Sequence, residues 1–265
     1  MRKPFRILLT NDDGIDSESI WALKRNLSDM AHCEIVAPRY PRSASSHAVS
    51  LHDRISVHRV RRNGRGTGYG VDGTPVDAIK FALSELFKKE PFDLIISGIN
   101  LGPNTGVSVY YSGTIGAARE GVISGIPSFA VSIAAFEWND FSYALNLTKR
   151  IARCYLSGKF PPDYFLNVNI PAVARTKVRG IRLSRQAPSR FVELFERAER
   201  KGKPSYLLKG KISVLKQDGS TDQEVLEQNY VSITPLCLDM THYSYMKKTK
   251  GLIRSLEDSL ERKEG

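Results

Sequence analysis

Along the chain, short continuous runs of apolar residues alternate with stretches in which apolar residues recur every three or four positions. The first pattern is typical of strands buried on both faces of a parallel sheet, and the second of amphipathic helices. The runs predict strands at residues 7–9, 34–37, 92–96, 127–133 and 165–170. The periodic stretches predict helices at residues 18–28 and 143–156, and further helices that begin at Pro75 and Thr114. This alternation predicts an α/β fold, a parallel sheet with helices on both faces.

Two stretches between these elements lack periodicity and are predicted to be loops. Residues 39–50 are rich in Ser, Arg and Pro, and residues 98–113 contain Gly at several positions. A long glycine-rich loop inside a compact domain is usually functional or disordered. Between the two loops, residues 55–59 alternate like one arm of a hairpin, whose turn we place in residues 63–70.

The last third of the chain has a different pattern. Short strands are predicted at residues 181–183, 206–208 and 230–233, while residues 186–227 otherwise match no pattern. Residues 246–262 predict a charged helix with an apolar stripe formed by Leu252, Ile253, Leu256 and Leu260. We therefore divide the chain into an α/β core, residues 1–175, and a C-terminal extension, residues 176–265. The region after Tyr230 is expected to pack against a neighbouring subunit.

Composition narrows the class of protein. Hydrophobic residues make up 41% and charged residues 25%, as in an ordinary globular chain, and no apolar run approaches the ~18 residues of a membrane helix. Three widely spaced cysteines suggest neither a disulfide framework nor a zinc cluster. The N-terminus leaves no room for a signal peptide before the first strand. We therefore expect a cytoplasmic protein without a membrane partner.

The formal net charge of +11 suits an anionic partner such as nucleic acid. Residues 175–216, from Arg175 to Lys216, hold 13 Lys and Arg against three Glu, so most of the excess belongs to one segment. A solvated surface is the simpler explanation, and we expect no obligatory nucleic acid. The alternative is a basic nucleic-acid-binding protein that uses this segment, although it lacks the interleaved aromatic residues of single-strand binders.

Three polar clusters each follow an apolar run. They are Asn11-Asp12-Asp13, the stretch from Ser43 to His47, and the stretch from Gly98 to Asn104. In a parallel sheet all three would gather at the edge formed by the carboxyl ends of the strands. Adjacent buried carboxylates need a compensating cation or hydrogen bonds, and a hydroxyl and an amide oxygen would complete an oxygen-only site for Mg²⁺ or Mn²⁺. The competing interpretation is a plain Asn-Asp-Asp-Gly turn.

A candidate anion site follows the glycine-rich loop. Ser112, Gly113 and Thr114 lie at the predicted start of a helix, where free N–H groups and the helix dipole favour phosphate. No Lys or Arg lies between Gly98 and Ala118 to hold a second phosphate. A cation site beside an anion site indicates phosphoryl chemistry on a terminal phosphomonoester.

These stretches together resemble the SurE family (survival protein E), metal-dependent nucleoside monophosphate phosphatases. The matching stretches are ILLTNDDGI, APRYPRSASSHAVS, GVDGTPVDA, ISGINLGPNTG, YYSGTIGAAREG, NVNIP and YVSITPL. The resemblance implies one divalent metal ion per subunit, Mg²⁺ or Mn²⁺, with ligands at Asp12, Asp13, Ser43 and Asn100. It places the phosphate at Asn104, Ser112, Gly113 and Thr114.

The resemblance also implies a Rossmann-like core and a C-terminal arm exchanged between the subunits of a homodimer or homotetramer. One departure is visible. This chain reads Arg39-Tyr40-Pro41 where the family usually has Asp-Arg-Asn, so we expect the geometry of the loop and its contacts with the base to differ.

The reaction implied is that of a 5'-nucleotidase, which hydrolyses nucleoside 5'-monophosphates to nucleoside and phosphate, with other phosphomonoesters or polyphosphate as side substrates. The candidate catalytic residues are Asp12, Asn11 and Asn104. Attack by a metal-activated water and attack by Asp12 through a phospho-enzyme both stay open. So do the base preference and the leaving-group acid.

Five further polar residues have simpler interpretations. His47 would act as a leaving-group acid or as a plain hydrogen-bond donor. Asp72 and Asp77 are predicted to cap the helix near them. Asn167 and Asn169 would brace the site from beneath, although turn chemistry also explains them.

Overall fold

A computed structural model describes residues 4–62, 64, 66–160, 163–200, 203–215 and 218–261. The strands are β1 Phe5–Thr10, β2 Ala31–Pro38, β3 Val57–Arg62, β4 Gly66–Val71, β5 Leu94–Leu101, β6 Ser128–Ile133, β7 Tyr164–Ile170, β8 Gly180–Leu183, β9 Ser189–Arg200, β10 Lys203–Val214 and β11 Tyr230–Cys237. The α-helices are α1 Glu18–Leu27, α2 Pro75–Phe81, α3 Ser108–Tyr111, α4 Gly113–Ile123, α5 Ser142–Leu156, α6 Asp222–Glu227 and α7 Tyr243–Glu261.

The predicted Rossmann-like α/β fold is confirmed. Nine strands form one sheet in the order β3-β4-β2-β1-β5-β6-β7-β11-β8. Strands β4 to β7 in this order are parallel, whereas β3 pairs antiparallel with β4 and β11 pairs antiparallel with β7. Because side chains alternate along a strand, Ile7 and Leu9 of β1 enter one core with α1 and α5, while Leu8 enters a second core with α2.

The sequence around Thr74 explains why helix α2 begins where it does. Thr74 caps the helix by accepting a hydrogen bond from the Asp77 backbone N–H at 3.1 Å, and the Asp77 carboxylate accepts one from the Thr74 N–H at 2.8 Å. Pro75 follows at the first helical position, where its missing N–H costs nothing. The capping role predicted for Asp77 is confirmed. Asp72 instead contacts His58, whose Nε2 lies 3.0 Å from its carboxylate.

The loop predicted at residues 98–113 is shorter than expected. Strand β5 continues to Leu101 through an irregularity in its pairing with β6 between Ser97 and Asn100. Gly98 has φ +133° and lies so close to β6 that a Cβ would meet the Val131 carbonyl oxygen at 2.4 Å. Only glycine fits there, so a residue that resembles a loop former lies within the sheet. The hairpin turn is also shorter than predicted, because residues 66–70 belong to β4.

The C-terminal third contains a hairpin of which only residues 206–208 were predicted, as a short strand. Strands β9 and β10 pair antiparallel over twelve residues each and form a separate two-stranded sheet. Strand β11 lies between β7 and β8 of the same chain, so the expectation that everything after Tyr230 packs against a neighbour is wrong for residues 230–237. The final predicted helix is present as α7, although residue 262 lies outside the described ranges. The division at residue 175 stays a prediction.

Cys33, Cys154 and Cys237 are free thiols. Within the described ranges, the structure contains no helix with the length and apolar character needed to cross a membrane.

Candidate active site

The end of β1 forms a turn that presents the two carboxylates. Asn11 is fully buried, and its side-chain amide bridges the Gly14 backbone, donating to the carbonyl and accepting from the N–H at 3.1 Å each. Gly14 has φ +94°, and a Cβ on it would lie 3.2 Å from the Tyr40 carbonyl carbon. The Arg42 N–H donates to the Asp12 carbonyl at 2.7 Å. The turn interpretation is therefore correct for Asn11, and the turn brings residues 39–50 against the acid pair.

Asp12 is held by the start of α4. Its Oδ1 accepts a hydrogen bond from the Thr114 hydroxyl at 2.6 Å, and the backbone N–H groups of Gly113 and Thr114 also face it. Burial raises the pKa of Asp12 above its ordinary value, although these hydrogen bonds act in the opposite direction. The carboxylate is thus fixed in orientation by a helix 102 residues away in sequence.

The environment of Asp13 also disfavours its ionised form. Burial, and then the charge of Asp12, raise its pKa to about 7, against a single opposing hydrogen bond from the Leu101 backbone. Its Oδ2 is buried and has no hydrogen-bond partner among the described residues. A buried carboxylate oxygen without a partner is costly, so this atom indicates a site for a cation.

Asn100 lies at the carboxyl end of β5, which is adjacent to β1 in the sheet. Its side-chain nitrogen donates to the Gly102 carbonyl at 2.7 Å, which orients the amide and leaves its oxygen to serve as a ligand. Ser43 is exposed in the 39–50 loop next to Arg42, whose N–H bonds to Asp12. The structure thus brings Asp12, Asp13 and Asn100 to one edge of the sheet, and the ligand roles of these residues and of Ser43 stay predictions.

The donor set fits a hard divalent cation. It consists of carboxylate and amide oxygens. The described residues contain no group of three or more His, Cys, Asp or Glu that could hold a metal ion, so the site would depend on two carboxylates and an amide. The unpartnered Oδ2 of Asp13 and the raised pKa of both carboxyl groups show that hydrogen bonds from the protein compensate the pair only in part. An oxygen-preferring ion such as Mg²⁺ or Mn²⁺ would supply it.

The residues predicted to bind the phosphate at the start of α4 lie next to the Asp12–Asp13 pair. Ser112 caps α4, and its hydroxyl oxygen accepts a hydrogen bond from the Ile115 N–H at 3.1 Å. Gly113 and Thr114 open the helix, but the Thr114 hydroxyl is already bonded to Asp12. The phosphate contact predicted for the Thr114 hydroxyl therefore stays a prediction, and the bond to Asp12 is its observed role.

Asn104 is fixed by a network beneath the site. Its backbone N–H donates to Asn169 Oδ1 at 2.8 Å, and its carbonyl accepts from the side chains of Asn167 at 2.7 Å and Asn169 at 3.2 Å. Its own side-chain nitrogen donates to the Ser132 hydroxyl at 2.9 Å. The bracing role predicted for Asn167 and Asn169 is confirmed, because both hold Asn104 in place from β7.

A charged cluster that the sequence did not suggest fixes the 39–50 loop. His47 Nε2 lies 2.9 Å from one carboxylate oxygen of Glu120 on α4, and Lys80 Nζ lies 2.6 Å from the other. Glu120 is only 3% exposed, and although burial alone would raise its pKa, His47 and Lys80 lower it overall. The plain hydrogen-bonding interpretation of His47 fits this contact. No local motif could reveal it, because the residues lie on three separate segments.

Comparison with known proteins identifies relatives over nearly the whole chain. The family model described as Survival protein SurE matches residues 7–193. The protein named 5'-nucleotidase SurE from Chlorobaculum tepidum is 41% identical over 259 residues, which cover 97% of this chain and 98% of the relative. The protein of the same name from Syntrophus aciditrophicus is 39% identical over 257 residues, 96% of each chain. The crystal structure of the SurE protein from Aquifex aeolicus matches with a TM-score of 0.79 and 33% identity, covering 93% of this chain and 99% of that one.

Proposed function

The chain belongs to the SurE family, and on this premise we propose that it is a 5'-nucleotidase that hydrolyses nucleoside 5'-monophosphates to nucleoside and inorganic phosphate. The observation that carries the proposal is the juxtaposition of Asp12 and Asp13 with the start of α4. The acid pair suits a cation, and a helix N-terminus suits the phosphate that the cation would bind. Relatives named as 5'-nucleotidases support the same reaction.

One divalent metal ion per subunit, Mg²⁺ or Mn²⁺, would be held by Asp12, Asp13 and Asn100, with Ser43 as the fourth ligand expected from the family. When bound, the ion would offset the two carboxylate charges and polarise the phosphoryl oxygens. Asp12 is oriented for this by the Thr114 hydroxyl, and Asn100 by its hydrogen bond to Gly102.

The remaining residues bind and orient the substrate. The N–H groups at the start of α4 and the hydroxyl of its capping residue Ser112 favour the charge on the phosphate. Asn104 is held rigidly enough to fix a phosphoryl oxygen or the attacking group, because four hydrogen bonds restrain it. Asn11 shapes the turn and is a positioning residue in this scheme. Attack by water and attack by Asp12 are both compatible with this arrangement of residues.

The expected substrate preference rests on the lack of Lys and Arg in the stretch from Gly98 to Ala118. No Lys or Arg lies between Gly98 and Ala118, so this part of the site has no side chain to grip the further phosphates of a di- or triphosphate. Nucleoside monophosphates are therefore the preferred substrates, and other phosphomonoesters or polyphosphate are side substrates. The protein acts in the cytoplasm in this proposal.

The subunits associate as a homodimer or homotetramer through the C-terminal arm. The apolar stripe of α7 is exposed, with Leu252 at 61% and Leu260 at 69% exposure. The β9–β10 hairpin also exposes Leu194 and Tyr206. Large exposed apolar side chains on two projecting elements are typical of an interface.

The nucleic-acid-binding alternative gains no support from the relatives' names. Several Lys and Arg side chains in the segment 175–216 have partners within the chain. Arg175 lies over the Tyr143 ring, Arg185 is ion-paired with Asp218, and Lys209 with Glu196. Lys216 lies outside the described residues.

The test is phosphate release from nucleoside mono-, di- and triphosphates, measured with Mg²⁺ and with Mn²⁺ separately. The monophosphate is expected to give the highest kcat/KM, and EDTA should abolish release. Equal or greater rates on triphosphates would refute the substrate preference and leave the metal site standing. Activity that EDTA leaves intact would refute the metal site.

A further inference from the structure

Asp222, the first residue of α6, is a fully buried carboxylate that neither the metal site nor the phosphate site uses. Its Oδ1 accepts hydrogen bonds from the backbone N–H groups of Ala187 at 3.0 Å and Gln223 at 2.9 Å, and its Oδ2 accepts one from Gly106 at 3.0 Å. Burial raises the pKa of Asp222 above its ordinary value, and among the described residues only backbone N–H groups oppose this effect. A buried carboxylate without a cationic partner depends on such bonds, so Asp222 and the three N–H groups fix one another.

The bond to Gly106 is one of three that join the same stretch of backbone to the C-terminal extension. The Gly106 carbonyl accepts a hydrogen bond from the Gln186 side chain at 2.7 Å, and the Val107 N–H donates to the Ser189 hydroxyl at 2.8 Å. Gly106 has φ +51°, and a Cβ on it would lie 2.2 Å from the Ser189 Oγ. The backbone at Gly106 is therefore held closely by residues that lie 80 or more positions further along the chain.

Loop 102–107 carries Asn104 and is held at three points. Gly102 donates its N–H to a carbonyl of β6 at 2.9 Å, and Asn104 donates its N–H to Asn169 of β7 at 2.8 Å. The third point, Gly106, is held by the C-terminal extension. Loss of the third point would let the loop move about Asn104, and displacement by about 1 Å is enough to disturb a catalytic geometry.

We propose that Asp222 is a positioning residue for the nucleotidase reaction: together with Gln186 it holds Gly106, and through Gly106 it fixes Asn104 in the site. The proposal rests on the proposed 5'-nucleotidase function and adds to it a residue of the C-terminal extension. The hydrogen bonds of Asp222 reach none of the predicted metal ligands. Binding of the metal ion should therefore not depend on Asp222.

Asp222→Asn removes the bond to Gly106 selectively. The new amide oxygen can still accept from Ala187 and Gln223, whereas the new NH₂ group faces the Gly106 N–H, so that two donors oppose each other. Exchange of the Gly106 and Val107 amide hydrogens, followed by NMR, should become about tenfold faster or more. For a nucleoside monophosphate, kcat should fall by about tenfold, while the Kd for Mg²⁺ should stay within about twofold.

Glu224→Gln is the matched control for a purely structural effect. Glu224 lies in the same turn of α6, and its carboxylate accepts from the N–H groups of Gly219 at 2.9 Å and Thr221 at 3.2 Å. None of its hydrogen bonds reaches loop 102–107. This variant should lower the melting temperature as Asp222→Asn does, but leave kcat and the exchange of the Gly106 amide unchanged.

Gln186→Ala removes the bond to the Gly106 carbonyl and should change exchange and kcat in the same direction as Asp222→Asn. If Asp222→Asn does not fold, normal exchange and kcat in Gln186→Ala would overturn the proposal. So would wild-type exchange in Asp222→Asn, a loss of its Mg²⁺ binding, or an equal fall of kcat in Glu224→Gln. An inactive wild type would refute the proposed function, and the exchange rates would still show whether Asp222 holds the loop.

Discussion

At the scale of single residues, the environment of Asp13 makes stability depend on pH. Its pKa is raised from 3.8 to about 7 in the folded chain, chiefly by burial. Between these values the folded chain holds a proton that the unfolded chain has lost, so the free energy of unfolding falls as the pH rises through that window. In EDTA, we expect the melting temperature to be higher at about pH 5 than at about pH 8, by about 5 °C.

Asp13→Asn provides the control for this pH dependence. The substitution removes the titrating group and the repulsion from Asp12, so the variant should be less sensitive to pH over that range. At the higher pH it should be more stable than wild type in EDTA. A variant that loses stability in parallel with wild type would show that another group is responsible.

Thr114→Val tests whether the hydroxyl bonded to Asp12 orients a metal ligand. Loss of the 2.6 Å hydrogen bond should weaken Mg²⁺ binding by about tenfold or more and lower kcat/KM with it. Thr249→Val on exposed α7, where the hydroxyl bonds only to its own helix, serves as the matched control. Normal Mg²⁺ affinity with reduced turnover would instead support the direct phosphate contact predicted from the sequence.

The sequence revealed those site residues that directly follow apolar runs. Asp12, Asp13 and Asn100 could be placed together because the carboxyl ends of parallel strands share one edge. The Thr114 bond to Asp12 could not be foreseen, since it depends on how the end of β1 and the start of α4 pack together. Glu120 was missed for the same reason, as its partners come from two other segments.

At the scale of elements, the packing of the 39–50 loop on α4 controls the site. A Cβ on Gly116 would lie 2.2 Å from the Ser46 carbonyl oxygen, a contact that only movement of the loop or helix can relieve. Gly116→Ala should therefore lower kcat/KM by about tenfold or more, because displacement by about 1 Å is enough to disturb a catalytic geometry. The measurement is steady-state kinetics, with circular dichroism to verify the fold.

Gly251→Ala is the control for this substitution. It lies in helix α7, and a Cβ there would meet nothing within 4 Å. It should keep full activity and gain slightly in stability, because alanine favours a helix. If Gly116→Ala behaves like Gly251→Ala, the loop does not depend on close packing against α4.

Element prediction succeeded where burial, or an apolar stripe such as that of the exposed helix α7, gives the sequence a recognisable period. The strands β1, β2, β6 and β7 and helices α1 and α5 were found because burial imposes a period on their sequences. Strand β9 was missed because its apolar residues, such as Phe191, Val192, Leu194 and Phe195, fall on both faces, and only residues 206–208 of β10 were predicted as a strand. The end of β5 was missed because it contains Gly98, which is typical of a loop. Glycine is required there because β6 approaches the backbone too closely for a Cβ.

At the scale of the whole molecule, the exposed surface of α7 predicts assembly. Its apolar stripe has no cover within the described chain, since every described side chain from residue 243 onward is exposed. A chain that ends after Met240 retains β11 and the complete nine-stranded sheet. It should therefore remain folded but show a lower mass than the full chain in light scattering. Retention of the full mass would show that other surfaces hold the subunits together.

The most direct test of the central claim is the metal dependence of nucleotide hydrolysis in Asp12→Asn and Asp13→Asn. Phosphate release from a nucleoside 5'-monophosphate is measured during titration of EDTA-treated protein with Mg²⁺ or Mn²⁺. The wild type should recover activity as metal is added, whereas both variants should remain folded and nearly inactive, because each lacks one of the two charged ligands. Full activity in either variant, at unchanged metal dependence, would contradict the assignment of the acid pair as the metal site.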